Sequence, residues 1–187
     1  MKPLTPTTPH VIFMVGIPGA GKSHFAEHFS KTFGAPYINR HIISDLVDSH
    51  EMTISKVAAH MLDELLKTHR TIIFEGPTHS KAARLALFTK IKKAGYLPLL
   101  VWVQTETTEA KHRATKKGSR YDSDSYDTAL QRFQPPQKTE SPVVISGKHT
   151  YPTQVKIVLK HLANPRESHS PATPPPRTHT SRSITVR

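Results

Sequence analysis

The sequence predicts an α/β protein, a three-layer α/β/α sandwich around a mostly parallel, five-stranded sheet. Three observations carry this expectation. Strand-like and helix-like segments alternate through the body of the chain. Val11-Ile12-Phe13-Met14-Val15 is a continuous apolar run, as a parallel strand buried on both faces requires. Ile54, Val57, Ala58, Met61, Leu62, Leu65 and Leu66 recur at helical spacing, forming one apolar stripe.

The elements follow in order. A helix from Lys22 to Phe33 is closed by Gly34, and a short second strand fits Pro36 to Asn39. Thr53 is placed to cap the helix over 53–68. Thr71-Ile72-Ile73-Phe74 forms a third strand that ends at Glu75-Gly76. Ser80 caps a helix running to Ala94, with Gly95 at its C-terminal end. Leu99 to Val103 is the fourth strand, with Trp102 read as a core residue rather than a base-stacking platform. A helix from about Thr108 to Lys117 stops at Gly118, and the polar stretch 119–125 reads as mobile. Val143-Val144-Ile145 is the fifth strand, and Pro152 suits the first turn of a helix reaching Leu162. Right-handed crossovers are expected between the strands.

At 187 residues the chain suits one domain. The expected division is a flexible leader at 1–9, a nucleotide-binding domain at 10–162 and a disordered, Pro-rich basic tail at 163–187. In that tail Glu167 stands against Arg166, Arg177, Arg182 and Arg187, with little apolar content to offset the entropy of ordering. Its alternative reading is a basic arm that docks on nucleic acid or a partner. The absence of cysteine excludes disulfides, thiolate metal sites and thiol nucleophiles. No apolar run approaches the roughly 18–20 residues of a membrane span, and no signal-peptide core is present. A soluble, cytoplasmic monomer without membrane contact is therefore expected. The net formal charge of +12 invites an anionic partner without choosing among nucleotide, nucleic acid and acidic lipid.

The decisive segment is Gly16-Ile17-Pro18-Gly19-Ala20-Gly21-Lys22-Ser23, a G-x-x-x-x-G-K-S pattern between a buried strand and an amphipathic helix. Its glycines let successive backbone N–H groups turn inward around phosphate oxygens. The helix N-terminus adds partial positive charge, Lys22 places a cation on the β- and γ-phosphates, and the Ser23 hydroxyl reaches Mg²⁺. The bland alternative is a Gly-rich turn that merely starts a helix. Glu75, ending an apolar strand, is the candidate second metal-site residue; otherwise it begins a surface loop. Arg84 shares a helix face with Leu87, Phe88 and Ile91 and reads either as a cleft arginine or as a snorkelling one. Arg113 and Lys117, four apart, with Lys116 and Arg120 nearby, can close over phosphates as a lid or form a solvated basic face. His24 and His28 have a spacing compatible with zinc but no third ligand nearby in sequence.

These residues carry a family resemblance. GIPGAGKS at 16–23, IIFEG at 72–76 followed by Arg84, AGY at 94–96 and HRATKKGSR at 112–120 occur in order. Arg132-Phe133, Pro135-Pro136 and Glu140 follow them. From His10 to Leu162 the chain resembles small P-loop kinases of the polynucleotide-kinase-like group, AAA-family ATP-binding proteins related to zeta-toxin and chloramphenicol phosphotransferase kinases. The resemblance implies a P-loop NTPase fold and Mg²⁺-dependent transfer of the ATP γ-phosphoryl group to a hydroxyl. It assigns Gly16 to Ser23, Arg113, Lys117 and Arg120 to the nucleotide, Ser23 and Glu75 to Mg²⁺, and Lys22, Arg113 and Lys117 to catalysis. Two departures stand out. Where such kinases place an aspartate after the second strand and an arginine three residues later, this chain has Arg40 and Ile43. Asp45 becomes the candidate base, with Asp48 beside it and His41 as a further candidate; Ile42, Ile43, Leu46 and Val47 would form the opposite, apolar helix face. Lys117 also stands where an arginine is usual, and Glu75 where an aspartate is common. A second function class is therefore an ATP-binding module or ATPase that has lost transfer and acts through a partner surface. Aromatics make up only 7% of the chain, so stacking platforms for single strands are scarce, and a small-molecule acceptor is favoured slightly over a polynucleotide.

Overall fold

The computed structural model describes residues 8–47, 50–116 and 118–163. The strands are β1 (His10–Val15), β2 (Tyr37–Asn39), β3 (Ile72–Glu75), β4 (Leu97–Gln104) and β5 (Val143–Ser146). They form one sheet in the order β2-β3-β1-β4-β5, and every pairing is parallel. The helices are α1 (Lys22–Phe33), α2 (Arg40–Val47), α3 (Glu51–Leu66), α4 (Lys81–Lys93), α5 (Thr107–Ala114), α6 (Ser123–Arg132) and α7 (Tyr151–Ala163). The P-loop NTPase fold expected from the sequence is the fold observed.

The central position of β1 explains its unbroken apolar run. Ile12 and Met14 face one layer with Phe25, Ala26 and Phe29 of α1 and with Val158 and Leu162 of α7. Val11, Phe13 and Val15 face the other, with Ile54, Ala58, Leu62 and Leu66 of α3 and Ile91 of α4. Each fully buried phenylalanine contributes about 1.5–3 kcal/mol relative to exposure, so the two faces of this strand anchor the whole sandwich.

Several boundaries differ from expectation for identifiable reasons. Helix α3 begins at Glu51, and His50 occupies its cap position without a side-chain hydrogen bond; Thr53 lies inside the first turn, its N–H donating to the His50 carbonyl. The Ser80 cap forms, accepting from the Ala83 N–H. Helix α5 stops at Ala114, short of Lys117. The polar stretch expected to be mobile instead leads into α6, whose N-terminus is held by a capping box in which Asp122 and Ser125 satisfy each other's backbone N–H groups. Helix α2 starts directly after β2 because the Asn39 side chain accepts from the His41 N–H. Its apolar residues are not all inward: Ile43 is buried, whereas Ile42, Leu46 and Val47 are exposed. At the edge of the domain, just before β1, the Pro9 carbonyl accepts from the Leu97 N–H at the start of β4. Ala163 ends α7. The rest of the expected leader, residues 1–7, and of the expected tail, residues 164–187, lie outside the described residues, as does Asp48. No helix among the described residues is long and apolar enough to cross a membrane.

Candidate functional site

The G-x-x-x-x-G-K-S pattern of residues 16–23 occupies the turn from β1 into α1, at the carboxyl edge of the sheet where ligands of open parallel sheets bind. Gly19 shows why the sequence needs glycine there. Its φ is +74°, and a Cβ would sit 2.0 Å from the Ala110 carbonyl oxygen, so α5 can press directly against the loop. Gly147, after β5, is equally confined: a Cβ would meet the Ala20 carbonyl at 2.1 Å and the Thr105 hydroxyl at 2.2 Å. Thr105 donates to that same Ala20 carbonyl at 3.0 Å. Loop, α5 and the 147 turn are thus one packed unit.

Lys22 is half-buried and its ammonium donates to the Ile17 carbonyl at 2.9 Å. Burial pulls its pKa below the usual lysine range, against the opposing attraction of Glu75. The lysine therefore lies folded across its own loop, not extended into water. Glu75 reaches the loop because β3 lies beside β1 in parallel register, with Phe13 opposite Phe74. Its Oε1 accepts from the Ser23 hydroxyl at 2.9 Å and its Oε2 from the Tyr37 hydroxyl at 2.5 Å. Burial, then the charge and hydrogen bond of Glu75, hold the Tyr37 phenol far above its ordinary range. Tyr37 therefore remains a proton donor to the carboxylate. Sequence reasoning missed it, since its partner is 38 residues away and only strand register joins them.

The remaining candidates do not form one group. Arg113 lies against the loop assembly, its Nε donating to Glu109 Oε1 at 2.8 Å and a terminal nitrogen to the Gly147 carbonyl at 3.1 Å. Arg120 instead spans to α2, where it donates to the His41 carbonyl at 3.1 Å and pairs with the Asp45 carboxylate. Asp45 is consequently on the rim, exposed and ion-paired. Lys117 lies outside the described residues. Arg84 fits neither of its sequence readings: it is fully buried and forked onto Glu140, with Nε to Oε1 at 2.6 Å and a terminal nitrogen to Oε2 at 3.0 Å. Its other terminal nitrogen donates to the Thr78 and Gln134 carbonyls at 3.0 and 2.8 Å. It ties the loop after β3 to the loop after α6.

A cavity of about 540 Å³ opens between these parts. Gly16, Pro18 and Lys22 form its floor, Arg40 and His41 one wall, residues 76–79 another, and Tyr121 with the inner side of α6 its roof. Burial lowers the His41 pKa against the pull of Glu75, and the positive Arg120, Lys22 and Arg40 lower it further. A neutral imidazole therefore faces the cavity at physiological pH. A second hollow, of about 550 Å³, includes Trp102, Glu106, Phe133 and Lys148. Trp102 is thus half-buried, packed on the α3/α4 layer yet lining a cavity. His28 directs Nδ1 to the His24 carbonyl at 2.8 Å and its ring packs 5.3 Å from that of Tyr151. No group of three metal-ligating side chains occurs among the described residues.

Comparison with known proteins places this geometry in context. Among solved structures, a gluconokinase from Sinorhizobium meliloti shares 15% identity at a TM-score of 0.58, the match covering 86% of this chain and 93% of that one. A sugar kinase from a Janibacter species shares 14% identity at a TM-score of 0.63, covering 87% and 99%. A chain of an RNA repair complex shares 20% identity at 0.58, covering 67% of this chain and 44% of that one. At these identities the likeness is one of fold. No curated protein matches the sequence. The AAA domain family matches residues 11–136, which span β1, the 16–23 loop, α5 and α6. The chain belongs to the AAA domain family and has the nucleotide-binding fold of P-loop kinase-like proteins.

Proposed function

We propose that this protein is an ATP-dependent phosphotransferase that moves the γ-phosphoryl group to a hydroxyl of an acceptor held beside the loop. The observation that carries the reading is the Ser23–Glu75 contact of 2.9 Å next to Lys22, at the mouth of a cavity large enough for a second substrate. A hydroxyl and a carboxylate are hard oxygen donors of the kind Mg²⁺ takes, so Ser23 and Glu75 fit that ion and would hold it. When bound, Mg²⁺ supplies neutralising charge on the phosphate oxygens.

In this reading the 16–23 backbone N–H groups and Lys22 hold the β- and γ-phosphates. Lys22 leaves the Ile17 carbonyl to do so. Arg113 closes the side toward Gly147, with Lys117 and Arg120 completing the basic lid. On the opposite side His41 accepts the proton of the acceptor hydroxyl. The hydroxyl oxygen bonds to the γ-phosphorus, the bond from that phosphorus to the β–γ bridging oxygen breaks, and ADP leaves. Asp45 takes a different role, latching Arg120 across the cleft. Positioning and charge stabilisation supply most of the rate in such transfers.

The test is ADP release from ATP and Mg²⁺, measured with and without a panel of hydroxyl acceptors. Acceptor-dependent release is expected, and Glu75→Gln should raise the Mg²⁺ concentration needed for half-maximal rate. ATP binding with no acceptor-dependent release from any member of the panel would instead support a binding module. An unchanged Mg²⁺ requirement in Glu75→Gln would leave Glu75 as a structural partner of Ser23 and Tyr37 and remove it from the metal site.

A further inference from the structure

Glu75 is 3% exposed, yet the partners that hold its carboxylate are uncharged: the Ser23 hydroxyl on Oε1 at 2.9 Å and the Tyr37 hydroxyl on Oε2 at 2.5 Å. The other buried carboxylate among the described residues, Glu140, is forked onto the Arg84 guanidinium. The contrast has a chemical meaning. A guanidinium cancels the charge of its partner, whereas two hydroxyls satisfy lone pairs of a carboxylate and leave its charge in place. Glu75 is therefore oriented without being neutralised.

Strand register sets up the Tyr37 contact. β2 runs parallel to β3, with Tyr37 opposite Ile73 and Asn39 opposite Glu75. Residues 73 and 75 alternate onto the same face, so Tyr37 is a diagonal neighbour of Glu75, a separation of about 7–8 Å that an aromatic side chain can bridge. The Tyr37 ring packs into the layer that holds Ile73 and the apolar side chains of α1. Phenylalanine would fill that space equally well, so packing explains the ring and not the hydroxyl. What the hydroxyl does is fix Oε2, and with it the direction in which Oε1 meets Ser23.

We propose that Tyr37 is a positioning residue for the divalent cation: by holding Glu75 Oε2, it aims the other carboxylate oxygen at the side of the loop where Ser23 lies. This rests on the reading of Ser23 and Glu75 given above, and adds to it a residue of β2 that acts through Glu75 alone. Without the hydroxyl, the carboxylate keeps its charge but loses its fixed orientation. The cost then falls on the cation and not on the grip of the loop and Lys22 on phosphates. A group that orients a metal ligand typically carries about 10–100-fold in metal affinity.

The experiment is calorimetric titration of the full chain with a non-hydrolysable ATP analogue, once at saturating Mg²⁺ and once in EDTA. The ratio of the two affinities is the gain due to the cation. In Tyr37→Phe that gain should fall by about tenfold or more, while affinity in EDTA stays within about twofold of wild type and a thermal melt shows a folded chain. Added to Glu75→Gln, the same substitution should reduce the gain no further, because Tyr37 acts through the carboxylate. An undiminished gain in folded Tyr37→Phe overturns the inference. So does an equal loss with and without Mg²⁺, or an unfolded Tyr37→Phe, since either would make the hydroxyl a purely structural group. A second full loss when Tyr37→Phe is added to Glu75→Gln overturns it as well. Absence of any Mg²⁺ gain in the wild-type protein would instead overturn the assignment of Ser23 and Glu75 to the cation, and failure to bind the analogue would overturn the phosphate site, so the failures are separable.

Discussion

Arg84 and Glu140 meet with side chains 0% and 3% exposed, whereas Arg120 and Asp45 meet at the cleft rim with 42% and 61% exposed. Both are arginine–carboxylate pairs joining loops distant in sequence, and burial gives them different jobs. The Arg84 fork satisfies a carboxylate and two backbone carbonyls that water cannot reach. Glu140 in turn accepts from the Gln137 N–H at 2.9 Å, so the short 3₁₀ turn Lys138–Glu140 is fixed to α4. Losing one partner there strands a buried charge. The Arg120 pair exchanges water for protein at nearly equal free energy, so it can open and close with little cost. The buried pair holds the wall behind residues 76–79 and 134, and the exposed pair bridges α2 and the segment after α5. In the proposed phosphotransfer, the buried pair would serve as a fixed wall of the cleft and the exposed pair as a releasable latch.

The largest expected effect tests the wall. Arg84→Ala should cost about 3–5 kcal/mol in urea unfolding, the range for breaking a buried ion pair. A loss below about 1 kcal/mol would place this pair in the same class as the exposed one. The pH dependence has a definite sign. Burial raises the Glu140 pKa, but the Arg84 hydrogen bond, the Gln137 N–H and the Arg84 charge together bring it below its ordinary 4.5. A carboxyl depressed in the folded state contributes stability that is complete above its unfolded value and lost as pH falls through the folded one. Acid unfolding of wild type should therefore be steeper below about pH 4.5 than that of Glu140→Gln.

Next comes the loop itself. Lys22→Ala should lower turnover by about 10²–10³-fold, the scale of removing one preorganised electrostatic group. Its folding stability should change much less, since in the structure the ammonium meets a single backbone carbonyl. Unchanged nucleotide affinity and unchanged turnover in a folded variant would sink the phosphate-site assignment.

The pH profile of transfer gives a smaller, diagnostic effect. With His41 as base, rate should fall about tenfold per unit on the acid side of its pKa. Burial places that pKa below the ordinary 6.5, so the rate plateau should extend to more acidic pH than an exposed histidine permits. An identical acid limb in His41→Gln would remove His41 from the reaction. The smallest effect concerns the latch. Arg120→Ala should change stability by about 0–1 kcal/mol, and less at high salt. A cost like that of Arg84→Ala would erase the distinction between wall and latch.

Local signals carried the elements that shape the nucleotide side of the site. The 16–23 spacing, the apolar run of β1, the Ser80 cap and the placement of Glu75 at a strand end all depend on residues within a few positions of one another. Helix α6 was missed because its ten residues contain only three apolar side chains, Tyr126, Ala129 and Leu130, too sparse a stripe to read. Its capping box, Asp122 with Ser125, departs from the usual Ser/Thr-x-x-Glu/Gln spacing signature and emerged only in the structure. The expected apolar face of α2 failed for the opposite reason: four apolar residues were present, but the sheet offers packing for Ile43 alone.

The sequence by itself determined the layered α/β architecture, the G-x-x-x-x-G-K-S loop between β1 and α1 and the candidacy of Ser23 and Glu75, because hydrophobic periodicity and turn chemistry are local. Tertiary structure decided the partners: Tyr37 on Glu75 across β2 and β3, Arg84 on Glu140 across 56 residues, Arg120 on Asp45 across 75. It also decided that Arg40, His41 and Arg132 share one cavity. A charged side chain's role depends on which counter-charge it meets and how much water remains around both. Neither quantity exists until the strands have paired and the helices have closed over them.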